Sequence, residues 1–424
     1  MDTIFALSSG PPPAGVAVLR VSGPGAGAAL EALGGARPEP RRASLRTLRD
    51  AEGALLDRAL VLWFPAPDTT TGEDIAEFHL HGGRAVIGAV EAALGALRDL
   101  RRAEAGEFTR RAFANGRLDL AEAEGLADLL AAETELQRRA ALEMAGGAFS
   151  RRVDKWRERL LALSAAVEAV LDFDDEGDVA GLSREFPSRI GALQQEIALQ
   201  LAAPHAETLR EGFRVALGGP PNAGKSTLFN TLIDHEAAIV TPAAGTTRDV
   251  LVRPVAIGGV PFSFVDTAGL REAGAGPVEA IGIDRAKNEL ERADVVLWLG
   301  SEGEGPAGAW EIEPQIDRTD HARKANPKFR VSAVTGEGVT ELKLALVARA
   351  RDAMPKPGET ALNARQRALL GDAADALNGV EGQQDPLLIA EQLRVARLAF
   401  DRLTGRAATE DMLDALFGRF CIGK

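Results

Sequence analysis

Two textures of hydrophobic and polar positions alternate along the chain. Up to about residue 116, short apolar runs sit between glycine and proline punctuation. "GVAVLRVSG" and "ALVLWFPAP" predict strands bounded by turns, and "RAVIGAVEAALGALRDL" predicts a helix. From Leu118 the period lengthens to that of helices. Leu160, Leu163, Val167, Val170 and Leu171 fall on one face, as do Ile190, Leu193 and Ile197. Near Gly212 the first texture returns. "FRVALGG" predicts a buried strand, "VLVRPVAIGGVPFSFVDT" a hairpin turning at Gly258-Gly259, and "ADVVLWLG" a further strand. "KFRVSAVTGEG" then leads into a helix from about Val339.

This strand and helix alternation predicts a doubly wound domain, ended by the Pro/Gly linker "MPKPGET". Helices resume after it. Leu362, Leu369, Leu370 and Leu377 share a face, and so do Ile389, Leu393, Ala396, Phe400 and Leu403. Asp385-Pro386 reads as an N-cap followed by proline at the first helical position. Neither helical half is long enough to bury both its faces, so the pattern predicts one helical domain interrupted by an inserted α/β domain. The fold class is α/β plus α. An N-terminal α+β domain spans 1–116, the helical parts 117–211 and 355–424, and the insert 212–354.

Composition narrows the function classes. In 424 residues, 49 basic against 62 acidic side chains give a net charge of −13. Bulk electrostatic attraction to nucleic acid is therefore not expected, and an RNA contact requires a local patch or a partner. The single cysteine, Cys421, excludes an internal disulfide and fits a reducing compartment. "MDTIFALSSG" lacks the pattern of a signal peptide, and no apolar run approaches the ~18 residues of a membrane span. The expectation is a cytoplasmic protein with no membrane association.

The first chemistry-bearing motif is Gly219-Pro-Pro-Asn-Ala-Gly-Lys225-Ser226, which fits G-x-x-x-x-G-K-[ST] at every fixed position. Its glycines let backbone N–H groups point at a phosphate. Lys225 adds a charge at the β/γ oxygens, Ser226 is a Mg²⁺ ligand, and the helix "STLFNTLI" aims its positive end at the same spot. "DTAG", Asp266, Thr267, Ala268 and Gly269, ends a strand; Asp266 reaches Mg²⁺ through water and Gly269 meets the γ-phosphate. "AGTTRD" supplies Thr246 and Thr247 as a switch loop. "SAVTGEG", beginning Ser332-Ala333, resembles the loop that reads guanine O6 in GTPases. The usual N-K-x-D motif is absent after "AWEIE". Asp317 in Pro314-Gln-Ile-Asp is the candidate carboxylate for the base N1–H and N2–H, with Asp320 in the alternative register. The intact GTPase-type loops favour GTP over ATP.

Catalysis by this loop requires a source of charge and an acid. Leu270 occupies the place of the water-orienting glutamine of Ras-like enzymes, and no arginine finger is readable. Glu272, Glu279 and Asp284 are the acids that the following stretch offers. Asn222 adds an oxygen beside the phosphates, where a monovalent cation would stand in for an arginine.

Several of these signatures converge on one family. The chain resembles the MnmE (TrmE) family of tRNA-modification GTPases over its whole length: "GPPNAGKST", "AGTTRD", "DTAGLRE", "TGEDIAEFHLHGG", "GEFTRRAFANGRLDLAEAE" and the C-terminal "FCIGK" all match. The tail and the "GEFTRRAFANG" stretch are the specific ones, because ordinary P-loop GTPases lack them. The resemblance implies an N-terminal folate-binding-like domain and a helical domain carrying an inserted Ras-like GTPase domain. It implies a potassium-stimulated GTPase that works with an FAD protein of the MnmG (GidA) type, as a heterotetramer. Together they add an aminomethyl-type group to C5 of the wobble uridine of certain tRNAs, and the carbon comes from 5-formyl- or 5,10-methylene-tetrahydrofolate. It further implies a homodimer through the N-terminal domain.

By the same resemblance Arg20, Glu77, Arg117 and Lys424 contact folate. Asn222, Thr241, Ala243 and Thr246 bind potassium, Ser226 and Thr247 bind Mg²⁺, and Glu279 positions water. The nucleotide would touch Gly219, Asn222, Ala223, Gly224, Lys225, Ser226 and Thr227. It would also touch the loop Thr241, Pro242, Ala243, Ala244, Gly245, Thr246 and Thr247. Three departures stand out: Arg117 replaces the family's lysine, "EAGEF" replaces "PGEF", and "GSEGEGPAG" is too short for the helix that ordinarily precedes "AWEIE". A GTPase switch in ribosome assembly, or a folate-binding scaffold with a degenerate GTPase domain, are the competing functions.

The remaining features carry bland expectations. His79 and His81 lie on one side of a strand without a third ligand at matching spacing, so a structural or folate-side role is expected. Cys421, between Phe420 and Ile422, is expected to be apolar packing, with a reactive thiol as the catalytic alternative. "DFDDEGD" reads as a solvated connector. "RRVDKWRERL" and "TRRAF" are the densest basic stretches and the first candidates for tRNA contact.

Overall fold

Strands of the first third alternate between faces: Ala17, Leu19 and Val21, then Ala59, Val61 and Trp63, then Ala76, Phe78 and Leu80 are buried while the residues between them are not. That alternation gives the sheet one main core face, and Ile4, Ala6, Ala103 and Phe108 form a second, smaller buried cluster. The computed structural model describes residues 2–172, 181–234, 237–238, 252–266, 287–321, 323–356 and 359–423. Two compact units result, 1–127 with 401–424, and 128–400.

The first unit contains β1 (Thr3–Leu7), β2 (Ala14–Ser22), α1 (Ala26–Gly34), β3 (Ser44–Arg49), β4 (Leu55–Phe64), β5 (Ile75–Gly82), α2 (Arg84–Gly95), β6 (Leu100–Arg102), α3 (Glu107–Ala114) and α4 (Leu120–Leu130, running into the next unit). The strand order is β3-β4-β5-β2-β1-β6, with only β1 and β6 parallel. Helices α1 and α2 cover one face through Ala26, Ala29, Leu30, Ile87, Val90 and Leu94. The helix expected over 84–100 stops at Gly95. Leu100 instead opens β6, because pairing with Thr3 satisfies a backbone that three more helical residues would leave at a solvated end.

In the second unit, α5 (Glu135–Ala145), α6 (Ala148–Asp172), α7 (Phe186–Leu201) and α8 (Ala206–Glu211) precede the α/β part. That part runs β7 (Phe213–Gly218), α9 (Lys225–Ile233), β8 (Ala237–Ala238), β9 (Val252–Ile257), β10 (Val260–Asp266), β11 (Val295–Trp298), β12 (Trp310–Glu313), β13 (Phe329–Arg330) and α10 (Val339–Ala353). Then follow α11 (Ala364–Asn378), α12 (Pro386–Leu403) and, in the first unit, α13 (Glu410–Phe417). The seven-stranded sheet has the order β13-β12-β11-β7-β10-β9-β8. The β9–β10 hairpin turns at Gly258 and Gly259, both at positive φ (57° and 76°), as a tight hairpin of this kind requires. Strand β7 lies between β10 and β11, so the loop after it opens where the order of connection reverses, the usual ligand-binding edge.

Between β11 and β12 the chain makes only turns, as the short "GSEGEGPAG" predicts. Trp298 takes over the covering role. Its indole N–H donates to the Ser301 carbonyl (2.8 Å), and a Cβ at Gly300 or Gly305 would come within 2.8 or 2.6 Å of the ring. Glycine there lets the loop wrap the indole directly.

The long helices bury residues at alternating spacings of four and three: 149, 153, 156, 160, 163 and 167 on α6, and 186, 190, 193, 197 and 200 on α7. This near-heptad period favours shallow helix crossings. On α11 the buried line is Gln366, Leu370, Ala373 and Leu377. Leu369 is only half-buried, and Leu362 precedes the helix, pairing with His205; the expected Leu362/Leu369 stripe is corrected accordingly. Trp156 meets Phe400 of α12 at 6.1 Å between ring centres. Asp385 caps α12, its carboxylate accepting from Leu387 N–H at 2.9 Å.

Candidate functional site

The phosphate loop is shaped by backbone handedness. Gly219 has φ +143°, and a Cβ there would stand 3.0 Å from the Gly300 nitrogen. Asn222 has φ +62° and Gly224 φ +87°, directly before α9. Such alternation of handedness turns successive N–H groups toward one centre and makes an anion nest. Lys225 is buried, and its Nζ donates to the carbonyls of Gly219 (3.0 Å) and Pro220 (2.7 Å). Ala223 is half-buried, and Ser226 and Thr227 are exposed on the first turn of α9. Asp266 is buried at the end of β10, in register with Leu217 of β7, so a carboxylate stands on the strand beside the cradle.

Opposite the cradle, β12 gives way to Pro314-Gln315-Ile316-Asp317. Asp317 Oδ1 accepts from the fully buried Ser332 hydroxyl at 2.6 Å, and that hydroxyl accepts from Thr335 N–H at 3.1 Å. Thr231 of α9 donates to the Ala333 carbonyl (3.0 Å), fixing this second loop against the helix that follows the phosphate loop. A pocket opens among Gly224, Thr227, Asp317, Arg318, Ala333 and Val334. Asp320 does not line it; the Arg318 guanidinium engages both its oxygens at 3.2 Å and lowers its pKa. Gln315 was not singled out by sequence. At φ +57° it lays its side chain against Gly224 and donates to the Asn222 carbonyl at 3.4 Å, tying the two loops. A polar residue two before the candidate aspartate was the available signal.

In the first unit, Arg20 and Glu77 are cross-strand partners whose side chains meet at 2.9 Å. His79 Nε2 approaches the other Glu77 oxygen at 3.2 Å, and the Arg20 guanidinium lies over Phe108. The C-terminal tail is held nearby. Ile422 bridges to Ala105, Ser8 Oγ donates to the Gly423 carbonyl (2.8 Å), and Gly423 at φ +97° lies so close to Leu7 that a Cβ would come 2.0 Å from its carbonyl. Leu7 adjoins Ala6, the β1 partner of Arg20. Arg117 is half-exposed, 3.7 Å from Asp68. The motif stretches around residues 71 and 115 fit each other directly: Asn115 donates to the Thr71 carbonyl (2.7 Å), and Ser22 bonds both Thr71 Oγ1 (2.7 Å) and Glu73 (2.8 Å).

Three expectations change. Cys421 is exposed rather than packed, since Phe420 takes the buried place in the cluster with Leu413 and Phe417. The basic character of "TRRAF" is cancelled internally: Arg110 pairs with Glu410 and Asp414, and Arg111 with Asp2, Glu73 and Glu107. In "RRVDKWRERL", Arg159 and the Trp156 N–H both engage Glu196, so that stretch also serves packing. His81 pairs with Asp57 (2.8 Å), separate from His79, and no group of three or more His, Cys, Asp or Glu among the described residues is placed to hold a metal. Outside the described residues lie Thr241, Pro242, Ala243, Ala244, Gly245, Thr246, Thr247, Thr267, Ala268, Gly269, Leu270, Glu272, Glu279, Asp284 and Lys424, and residues 173–178 of the acidic stretch.

Two family models match, "MnmE helical domain" over residues 120–421 and "GTP-binding protein TrmE N-terminus" over 3–117. The tRNA modification GTPase MnmE of Erythrobacter litoralis (strain HTCC2594) is 61% identical over 424 residues, all of both chains. That of Novosphingobium aromaticivorans is 60% identical over 435 residues, again all of both. Among solved structures, the G domain of the T. maritima FeoB iron transporter matches at 25% identity over 32% of this chain and 98% of its own, with a TM-score of 0.24, a likeness too partial to argue from. The chain belongs to the MnmE (TrmE) family of tRNA modification GTPases.

Proposed function

We propose that this GTPase is potassium-stimulated and works with an FAD protein of the MnmG (GidA) type, in a heterotetramer, on the wobble uridine of certain tRNAs. It adds an aminomethyl-type group at C5, with 5-formyl- or 5,10-methylene-tetrahydrofolate as one-carbon donor. The observation that carries the nucleotide half is the Asp317 carboxylate, fixed by Ser332 in a pocket bordered by Gly224 of the phosphate loop. A carboxylate there accepts from guanine N1–H and N2–H, donors that adenine lacks in that arrangement.

The phosphate side follows from the chain's own groups. Lys225 exchanges two loop carbonyls for β/γ-phosphate oxygens. The hydroxyl and carboxylate oxygens of Ser226, Thr247 and Asp266 suit a hard divalent cation such as Mg²⁺, with Asp266 acting through water. Asn222, exposed at the lip of the cradle, fits the oxygen donor set of a monovalent cation with Thr241, Ala243 and Thr246. Bound there, potassium would supply the positive charge that an arginine finger supplies in other GTPases. Glu279 orients the attacking water. Arg20, Glu77, Arg117 and Lys424 hold the folate, and the partly buried Arg20–Glu77 pair beside the seated tail supports that assignment. The N-terminal domains form the homodimer, and the enzyme works in the cytoplasm.

Reconstitution tests the whole reading. The purified protein is combined with an MnmG-type flavoprotein, tRNA, GTP and a tetrahydrofolate, and the wobble nucleoside is analysed. Arg20→Ala should abolish the modified nucleoside while GTP hydrolysis continues. A wild-type yield from Arg20→Ala would remove the folate assignment.

A further inference from the structure

Strand β12, "WEIE", puts Ile312 in the core and both its carboxylates, Glu311 and Glu313, on the opposite face. The chain returning from the base loop answers them in turn. Lys324 Nζ reaches Glu311 (2.5 Å) and the Trp298 carbonyl (2.8 Å). His321 reaches Glu313 through Nε2 (2.9 Å) and the Arg318 carbonyl through Nδ1 (2.7 Å). Glu313 is almost fully buried and His321 nearly so. A carbonyl oxygen only accepts, so Nδ1 carries a proton; an ionised carboxylate only accepts, so Nε2 carries one too. The imidazolium alone satisfies both. A neutral ring would leave one lone pair facing another.

Arg318 lines the base pocket directly after Asp317, so the imidazolium pins that loop to the end of β12. We propose that His321 is a proton-dependent positioning residue that holds the base-recognition loop 314–320 and so sets nucleotide affinity. The inference rests on the reading of Asp317 as the guanine-binding carboxylate.

The surrounding charges support it. The Arg318 carbonyl first, then Glu313, raise the His321 pKa above its ordinary value. Burial works to raise that of Glu313, but hydrogen bonds from His321, Arg330 and the Lys324 N–H outweigh it and hold it low. Arg330 comes from β13; Arg323, on the returning segment, opposes the positive ring, and Asp320 is occupied by Arg318. A raised native value means that the contribution is complete below the ordinary imidazole value of about 6.5 and is lost as pH rises through the native one. Loss of the pin reduces the fraction of protein competent to bind and weakens apparent affinity by that fraction.

Equilibrium binding of fluorescently labelled GDP to the full chain, from about pH 6 to about pH 9, tests this. Taking the ratio of wild-type to His321→Gln affinity at each pH cancels the nucleotide's own titration. The ratio should fall from roughly tenfold at the acid end, the worth of a charge-assisted hydrogen bond, to near one at the alkaline end. Glu313→Gln should move that fall to lower pH. Should His321→Gln fail to fold, the displaced profile of Glu313→Gln against wild type carries the test. A ratio independent of pH, or a Glu313→Gln profile superimposed on wild type, overturns the proposal. Asp317→Ala separates the two readings. Unchanged GDP affinity in that variant removes the Asp317 assignment and this inference with it, whereas weakened affinity with a flat His321 ratio removes only the inference.

Discussion

Gly336 and Gly338 sit two apart in the loop after β13, both at positive φ (81° and 71°), yet they are glycine for different reasons. A Cβ at Gly336 would meet nothing within 4 Å, so alanine there costs only the left-handed backbone, about 1 kcal/mol. A Cβ at Gly338 would stand 1.9 Å from the Arg330 carbonyl, so α10 must move away from β13. Chemical unfolding should therefore find Gly338→Ala destabilised by more than about 2 kcal/mol and Gly336→Ala by clearly less; equal values would contradict this account. At this scale the sequence was legible wherever a residue's place follows from a fixed spacing. Lys225 closes the loop after β7 at the start of α9 and Asp266 ends β10, as their motifs predict, whereas Asp317, one of two open registers, lies in the pocket beside Gly224. Gln315 and His321 were invisible because their roles arise from a loop conformation, a left-handed turn and a chain reversal, that no spacing encodes.

Among the elements, β6 and α3 are joined by a charge cluster with a calculable pH response. Arg101 of β6 donates to Glu107 at the start of α3 (2.8 Å), and Arg111, one turn on, engages Glu107 and Asp2. Arg101 foremost lowers the pKa of Asp2. For Glu107, burial pulls upward, but the bonds from Arg101, the Glu104 N–H and Arg111 win. Both carboxylates are depressed in the native state, so their stabilisation is present above their ordinary values of 3.8 and 4.5 and is lost as pH falls through the lower native ones. Hydrogen-exchange protection of α3, taken relative to the intrinsic rate at each pH, should fall on acidification through that window, and Arg101→Ala should flatten the response. An unchanged profile in Arg101→Ala would contradict the assignment. Helical stripes such as Ile389 to Leu403 were readable because one period governs each. The end of α2 was not: alanines and leucines continue to residue 97 on a helical pattern, and only the pairing of β6 with β1 decides where the chain leaves the helix.

For the whole molecule, the sequence pattern carried the α/β insert between helical stretches and the order of its loops. It could not show that the two first-half family motifs serve each other structurally, Asn115 on Thr71 and Arg111 on Glu73, nor that basic "TRRAF" is paired with internal acids. Those outcomes depend on which segments the sheet brings side by side. The same assembly puts the nest at 219–224, the buried Asp266 and the Ser332–Asp317 pair on one edge of the seven-stranded sheet, the arrangement of a nucleotide engine. The central claim is that this engine is guanine-specific and uses a bound cation in place of an arginine. Steady-state hydrolysis of GTP and ATP in potassium and in sodium, by wild type, Asn222→Ala and Glu279→Ala, tests it most directly. The account predicts GTP turnover that rises at least roughly tenfold in potassium, collapses in both variants, and has no ATP counterpart. Turnover indifferent to the cation, or equal with ATP, would contradict it.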